Sequence, residues 1–121
     1  MILILGGAGA GKHEFAQSLG YTEDEMSRDV YADVPVVTGL EETVRKDPEQ
    51  ADTLLPALLK KEAVICCEVG SGVIPLMRED RTFREATGRL CVKLAQQAES
   101  VVRVVAGIPM AIKGELPCRR S

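Results

Sequence analysis

The chain has 121 residues and a nearly balanced charge, 15 Lys and Arg against 18 Asp and Glu for a net of −3, with 3% aromatic residues and no Trp. That length allows one domain with one real core, and the charge balance and scarce aromatics argue against a nucleic-acid binder built on a basic face or a base-stacking platform. No apolar run reaches the roughly 18 residues of a membrane span, and the first residues lack the basic stretch and cleavage site of a secretory signal, so a cytoplasmic protein is expected.

Met1–Leu5 (M-I-L-I-L) is apolar throughout, as a strand covered on both faces must be. Gly6–Gly11 interrupts it, and Lys12–Leu19 then sets Phe15, Ala16 and Leu19 on one helical face, with Gly20 as the stop. Residues 21–33 are polar and acidic and read as a loop with one helical turn. Val34–Val37 is a short β-branched strand that Pro35 assigns to an edge or a strand start. Thr38-Gly39-Leu40-Glu41 reads as a capping box opening a helix. Asp47-Pro48-Glu49-Gln50 repeats the signal, with Asp as cap and Pro at the first helical position. The helix beyond turns Leu54, Leu55, Leu58 and Leu59 inward and kinks near Pro56.

Ala63–Val69 is a second buried strand, ended by Gly70-Ser71-Gly72. From Asp80 or Arg81 to Glu99 the spacing of Phe83, Ala86, Leu90, Leu94 and Ala98 predicts an amphipathic helix. Val101–Ala106 is a third buried strand and Met110–Ile112 a short last one. Residues 1–113 thus make one domain, and Gly114–Ser121 reads as a loose tail. Apolar strands alternating with helices predict an α/β fold of three layers, a small and mostly parallel sheet flanked by helices. Ligands bind such sheets at the carboxyl ends of the strands, which singles out Gly6–His13, Thr38–Glu41, Glu68–Gly72 and Gly107.

Cys66, Cys67, Cys91 and Cys118 form no C-x-x-C pair, and His13 is far from all of them in sequence. No zinc-site spacing is present, and the four read as buried small hydrophobes of a reducing compartment. No metal-ligating residues are assigned.

Gly6-Gly7-Ala8-Gly9-Ala10-Gly11-Lys12 fits G-x-x-x-x-G-K, between a buried strand and a helix. Its glycines permit positive φ and close backbone approach, so successive N–H groups can cradle phosphate oxygens while Lys12 reaches the β- and γ-phosphates. The sequence therefore predicts a P-loop-type fold and a bound ATP or GTP. His13 occupies the next position, where a Ser or Thr hydroxyl ordinarily holds Mg²⁺. Imidazole is a poor ligand for so hard a cation, and His13 could instead donate a hydrogen bond to phosphate or become covalently phosphorylated or nucleotidylated. Lys12 and Glu68 are the candidate catalytic residues. Glu68 is the one acidic residue ending a strongly apolar run. It reads either as a contact to the magnesium shell or substrate hydroxyl, or as a salt bridge at the sheet rim.

These motifs together resemble a known family. Gly6–Lys12 followed by Glu68-Val69-Gly70-Ser71-Gly72-Val73-Ile74-Pro75 is similar to the bifunctional adenosylcobinamide kinase / adenosylcobinamide-phosphate guanylyltransferase family, whose N-E-V-G-x-G-I-V-P segment appears here as C-E-V-G-S-G-V-I-P. The likeness continues through Arg81-x-x-Arg84-Glu85-x-x-Gly88-Arg89-Leu90, Leu94-Ala95-x-x-Ala98 and Val101–Ile112. It covers roughly residues 1–20 and 64–113, in the same order. The resemblance implies a P-loop α/β fold, a homo-oligomer, phosphorylation of a corrinoid side-chain hydroxyl by ATP or GTP, and GMP transfer through a guanylylated histidine.

The chain also departs from the pattern. His13 replaces the family's Ser, and residues 21–37 hold no histidine although Glu23-Asp24-Glu25-Met26 echoes the start of the histidine-bearing stretch. Val36-Val37-Thr38-Gly39-Leu40-Glu41 matches the family's W-x-T-x-E with the Trp lost, Cys91-Val92 stands for an Asn-Gln, and the family's middle strand with its acidic end has no counterpart. Guanylyl transfer is therefore not expected. A catalytically degenerate protein that binds a nucleotide or corrinoid for regulation or assembly is the alternative. An unrelated small nucleotide kinase is disfavoured, because Arg78, Arg81, Arg84 and Arg89 spread around a helix instead of forming a lid.

Overall fold

The computed structural model describes residues 1–68 and 78–120. Strand β1 (Ile2–Gly6) is apolar on both sides and accordingly central, with Leu3 and Ile4 fully buried against opposite faces. It pairs in parallel with β4 (Ala63–Cys67) on one side and β5 (Ser100–Val105) on the other, so that Gly6 lies between Cys67 and Val104. Beyond β4 come β3 (Val36–Val37) and β2 (Met26–Ser27), both parallel, and beyond β5 comes the antiparallel β6 (Ile108–Lys113). Among the described residues the sheet order is β2-β3-β4-β1-β5-β6. The carboxyl ends of all the parallel strands therefore share one edge.

Helices cover both faces. Leu3, Val64, Cys66 and Val101 pack under α2 (Leu40–Lys46), a 3₁₀ segment (Pro48–Leu54), α3 (Leu55–Leu59) and α4 (Arg78–Gln97). The apolar stripe of α4 supplies Phe83, Ala86, Leu90 and Leu94 to that layer. Leu90 and Leu94 are fully buried, each stabilising the fold by about 1.5–3 kcal/mol over exposure. On the other face Ile4, Ile65, Val102 and Val104 pack under Phe15 and Ala16 of α1 (Lys12–Ser18), with Leu19 and Tyr21 just beyond it. The fold is α/β and P-loop-type, a mostly parallel sheet flanked by helices.

Local details differ from the sequence reading. The acidic stretch after α1 holds the expected helical turn, a 3₁₀ turn at Glu23–Glu25, but also β2, the edge strand. β3 is consequently interior, and Pro35 precedes it, its carbonyl accepting from the N–H groups of Glu62 and Ala63 at 2.9 and 3.3 Å. Thr38 does not cap α2. Gly39 does, in the left-handed region at φ 60°, with no side-chain cap. The working capping box is Thr22 with Glu25, where the Glu25 carboxylate accepts from the Thr22 N–H at 3.1 Å. The Leu-rich helix is split at Leu55 rather than kinked, Pro56 lying in the first turn of α3 where a missing N–H costs nothing. β6 runs longer than expected, because Ala106 and Gly107 both take positive φ and close a hairpin.

All four cysteines are free, but burial fails for Cys118, which is exposed, and is only partial for Cys67 and Cys91. The segment after Gly114 has no helix or strand over its described residues, yet Arg120 ties it down. The Arg120 N–H donates to the Leu19 carbonyl and its guanidinium to the Gly20 carbonyl, both at 3.0 Å. It also pairs with Glu25 and lies 4.2 Å over the Tyr21 ring.

Candidate nucleotide-binding site

The loop after β1 is shaped by where side chains cannot fit. A Cβ on Gly6 would lie 2.7 Å from the Val104 carbonyl oxygen, and one on Gly11 would lie 3.1 Å from the Gly107 Cα. Gly9 and Gly11 take φ of 72° and 102°, which L side chains rarely adopt. The Ala10 N–H donates to the Gly7 carbonyl at 3.2 Å, and the Gly107 N–H donates to the Ala10 carbonyl at 2.8 Å. The β5–β6 hairpin thus holds the loop from one side. Gly7 and Gly9 face open space on the other. The result is a concave run of backbone, Gly6 to Gly11, at the carboxyl end of the central strand.

Lys12 folds back over this run, its ammonium donating to the Gly7 carbonyl at 2.7 Å. His13, on the first turn of α1, meets Glu23: Nε2 lies 2.5 Å from Oε1, and Gln17 Nε2 donates to the same oxygen at 2.8 Å. A cavity of about 470 Å³ opens here, between Gly9–Glu14 and a second wall of Glu23, Arg28, Thr38 and Gly39. That size suits a small organic ligand. A larger cavity of about 820 Å³ lies at the opposite edge, near Pro35, Lys61 and Glu62, away from the loop.

Glu68 sits at the foot of the loop, its N–H donating to the Gly6 carbonyl at 2.8 Å. Its carboxylate is engaged by Arg103 of β5 in a fork, Nε at 2.7 Å and Nη2 at 3.1 Å. The pairing raises the Arg103 guanidinium above its ordinary pKa. One strand across, Glu41 Oε1 accepts from the Cys67 N–H at 2.8 Å and so ties α2 to the end of β4. Burial raises the Cys67 thiol, which stays protonated at neutral pH.

Gly6–His13 and Glu68 are therefore brought to one edge of the sheet; Gly9–His13 line the cavity together with Thr38 and Gly39, and Glu68 stands outside its wall. Residues 70–72 of the candidate set lie outside the described residues, as does the rest of the V-G-S-G-V-I-P segment. Glu23, Arg28 and Arg103 escaped the sequence reading. Arg103 had a signal, a lone charge inside V-V-R-V-V; Arg28, in an acidic stretch, had none. Magnesium fits poorly here, since position 13 offers an imidazole engaged with Glu23 and position 68 a carboxylate engaged with Arg103. Among the described residues no group of three His, Cys, Asp or Glu could hold a metal ion, and no helix is long and apolar enough to cross a membrane.

A buried parallel strand, a glycine loop with left-handed turns, and a lysine closing over it before a helix define a P-loop-type α/β protein. The family model described as cobinamide kinase / cobinamide phosphate guanyltransferase matches residues 24–112, and the chain belongs to that family. The match takes in residues 24–63, where the sequence alone offers only the echoes at Glu23–Met26 and Val36–Glu41, while the loop at Gly6–Lys12 precedes it and rests on its own geometry. The chain is also similar to the bifunctional adenosylcobalamin biosynthesis protein CobP of Pseudomonas aeruginosa, with 34% identity over 76 residues, 57% of this chain and 44% of that protein. It thus spans less than half the length of this relative.

Proposed function

We propose that the chain binds ATP or GTP on the Gly6–His13 loop and serves cobalamin biosynthesis as a kinase-type member of its family, with a corrinoid side-chain hydroxyl as phosphate acceptor. The observation that carries this reading is the loop itself: a backbone cradle open at Gly7 and Gly9, with Lys12 placed to exchange the Gly7 carbonyl for a phosphate oxygen. Lys12 neutralises charge on the β- and γ-phosphates. His13 donates a hydrogen bond to phosphate once its ring leaves the Glu23 carboxylate. Guanylyl transfer through a histidine is not part of the proposal, since residues 21–37 contain none. The protein acts in the cytoplasm as a homo-oligomer, to which the exposed Ile108, Met110 and Ile112 of β6 contribute apolar surface.

Two observations favour a second reading, a binder without turnover: the imidazole at position 13, and the engagement of Glu68 by Arg103. Calorimetric titration with ATP and GTP tests binding, and Lys12→Ala should weaken it at least roughly tenfold, the scale of a hydrogen bond to a charged group. Unchanged affinity in that variant would sink the loop as the site. Phosphate transfer to cobinamide, enhanced in His13→Ser, supports the kinase. Intact binding with no turnover in either protein establishes the binder.

A further inference from the structure

The wall facing the phosphate loop carries a guanidinium that the fold positions with care. β2 runs parallel to β3, and β3 to β4, so β2 delivers the next residue, Arg28, to the edge of the sheet where the loop sits. Backbone around Arg28 is held on three sides. The Thr38 N–H donates to the Ser27 carbonyl at 2.9 Å, the Asp29 N–H to Ser27 Oγ at 3.0 Å, and Thr43 Oγ1 to the Arg28 carbonyl at 3.3 Å. The side chain then crosses Gly39, where a Cβ would meet its Cγ, Cδ and Nε at 3.6–3.8 Å. Those are ordinary contact distances, so the stem of Arg28 packs along the Gly39 backbone, and it is the left-handed φ of 60° that calls for glycine there.

Arg28 shares the cavity with Lys12 and His13. Among the described residues it forms no ion pair, whereas Arg103 is committed to Glu68 and Arg120 to Glu25. Glu14 and Glu23 also line the cavity, and Glu23 is held by His13 and Gln17. An anionic ligand entering beside two carboxylates needs a cation facing it. Guanidinium is always charged, and its planar fork matches two phosphate oxygens at once. In loops of this kind the lysine reaches the β- and γ-phosphates, and Arg28 stands across the cavity from that lysine's end of the loop.

We propose that Arg28 clamps the terminal phosphate of a bound nucleoside triphosphate from the side opposite Lys12. The assignment rests on the reading of Gly6–Lys12 as the nucleotide site. It makes Arg28 a residue that distinguishes triphosphate from diphosphate, and places the discriminating contact on β2, outside the glycine loop.

Calorimetry on the full chain with ATP, ADP, GTP and GDP tests it, together with melting temperatures. Arg28→Ala should weaken triphosphate binding roughly tenfold to a hundredfold, the span of a charged hydrogen bond, with less than a threefold change for the diphosphate. Arg28→Lys should fall between, keeping charge but not the fork. Lys12→Ala should weaken both ligands. If Lys12→Ala weakens binding while Arg28→Ala changes neither ligand, or both equally, the Arg28 assignment is wrong and the site stands. If the wild type binds no nucleotide, or Lys12→Ala changes nothing, both fall. Should Arg28→Ala lower the melting temperature, Arg28→Gln retains the stem over Gly39 and decides between the same outcomes.

Discussion

Two adjacent glycines in the loop should respond to the same substitution in opposite ways. In Gly6→Ala the new Cβ meets the Val104 carbonyl oxygen at 2.7 Å, with Lys12 Cγ and Ala10 Cβ at 3.1 and 3.3 Å. Ordinary contact begins at 3.4 Å, so β1 and β5 must part by about 0.7 Å at a point where both are locked in parallel register. Side chains can swing away from such a clash; a backbone carbonyl in a ladder cannot. Overpacking of this kind costs about 1–3 kcal/mol, which for a chain this size lowers Tm by roughly 3–18 °C. In Gly7→Ala the Cβ meets nothing within 4 Å, and Gly7 is not among the glycines with positive φ. Its stability should stay within about 0.5 kcal/mol of wild type, while on the proposed reading nucleotide affinity falls, since the methyl group projects into the open space beside the loop where the phosphates would lie. Urea denaturation gives the stabilities and calorimetry the affinities. Equal stability for the two variants would refute the packing account of Gly6, and full nucleotide affinity in Gly7→Ala would refute the cradle.

Two further substitutions probe the layers that support the site. The Thr87 hydroxyl on α4 is buried and finds no hydrogen-bond partner among the described residues, so Thr87→Val should stabilise by about 1 kcal/mol in urea denaturation; a loss of stability would mean that the hydroxyl is satisfied in solution. Glu25 is held near pKa 2, against an ordinary 4.5, first by the Arg120 guanidinium and then by the Thr22 N–H. A carboxyl depressed on folding contributes stability that is present above about pH 4.5 and lost as pH falls towards 2. Arg120→Ala should therefore lower Tm at pH 7 by a margin that narrows as pH falls towards 2 without closing, since the contacts of Arg120 with Gly20 and Tyr21 do not titrate with Glu25. A gap that stays constant with pH would count against the pairing.

How far the sequence could be read depended on whether short-range or long-range chemistry decided the outcome. β1 and β4 announce themselves because strands covered on both faces must be apolar throughout; β5, expected to be buried likewise, instead exposes Arg103 and Val105. α4 announces itself because Phe83, Ala86, Leu90 and Leu94 repeat at helical spacing. β2 was invisible: Met26–Ser27 is a strand only because Val36–Val37 lies beside it. Thr38-Gly39-Leu40-Glu41 carries the letters of a capping box, yet Glu41 is drawn to the Cys67 N–H across the sheet edge and Gly39 takes the cap position. The loop Gly6–Lys12 was legible because its glycines answer a local requirement. The partners of His13, Glu68 and Arg120 were not, because each lies across the fold, 10, 35 and 95 residues away.

That difference separates binding from chemistry in this chain. The cradle is made of backbone, fixed by Gly6 against Val104 and by Gly11 and Ala10 against the hairpin turn at Gly107. None of those contacts involves the side chains at 13 or 68, so changes there leave the cradle standing. A site for metal-assisted phosphoryl transfer asks more, since oxygen donors must face the phosphates unpaired. Freeing Glu68 would strand Arg103, and removing Arg103 would strand a carboxylate that is only 23% exposed. An exposed ion pair is worth little to stability. At this edge its larger effect is to keep the carboxylate turned to β5, away from anything bound on the loop. On the proposed reading, nucleotide affinity would rest on the glycine loop with Lys12 and Arg28, and any turnover on whether His13 and Glu68 leave Glu23 and Arg103.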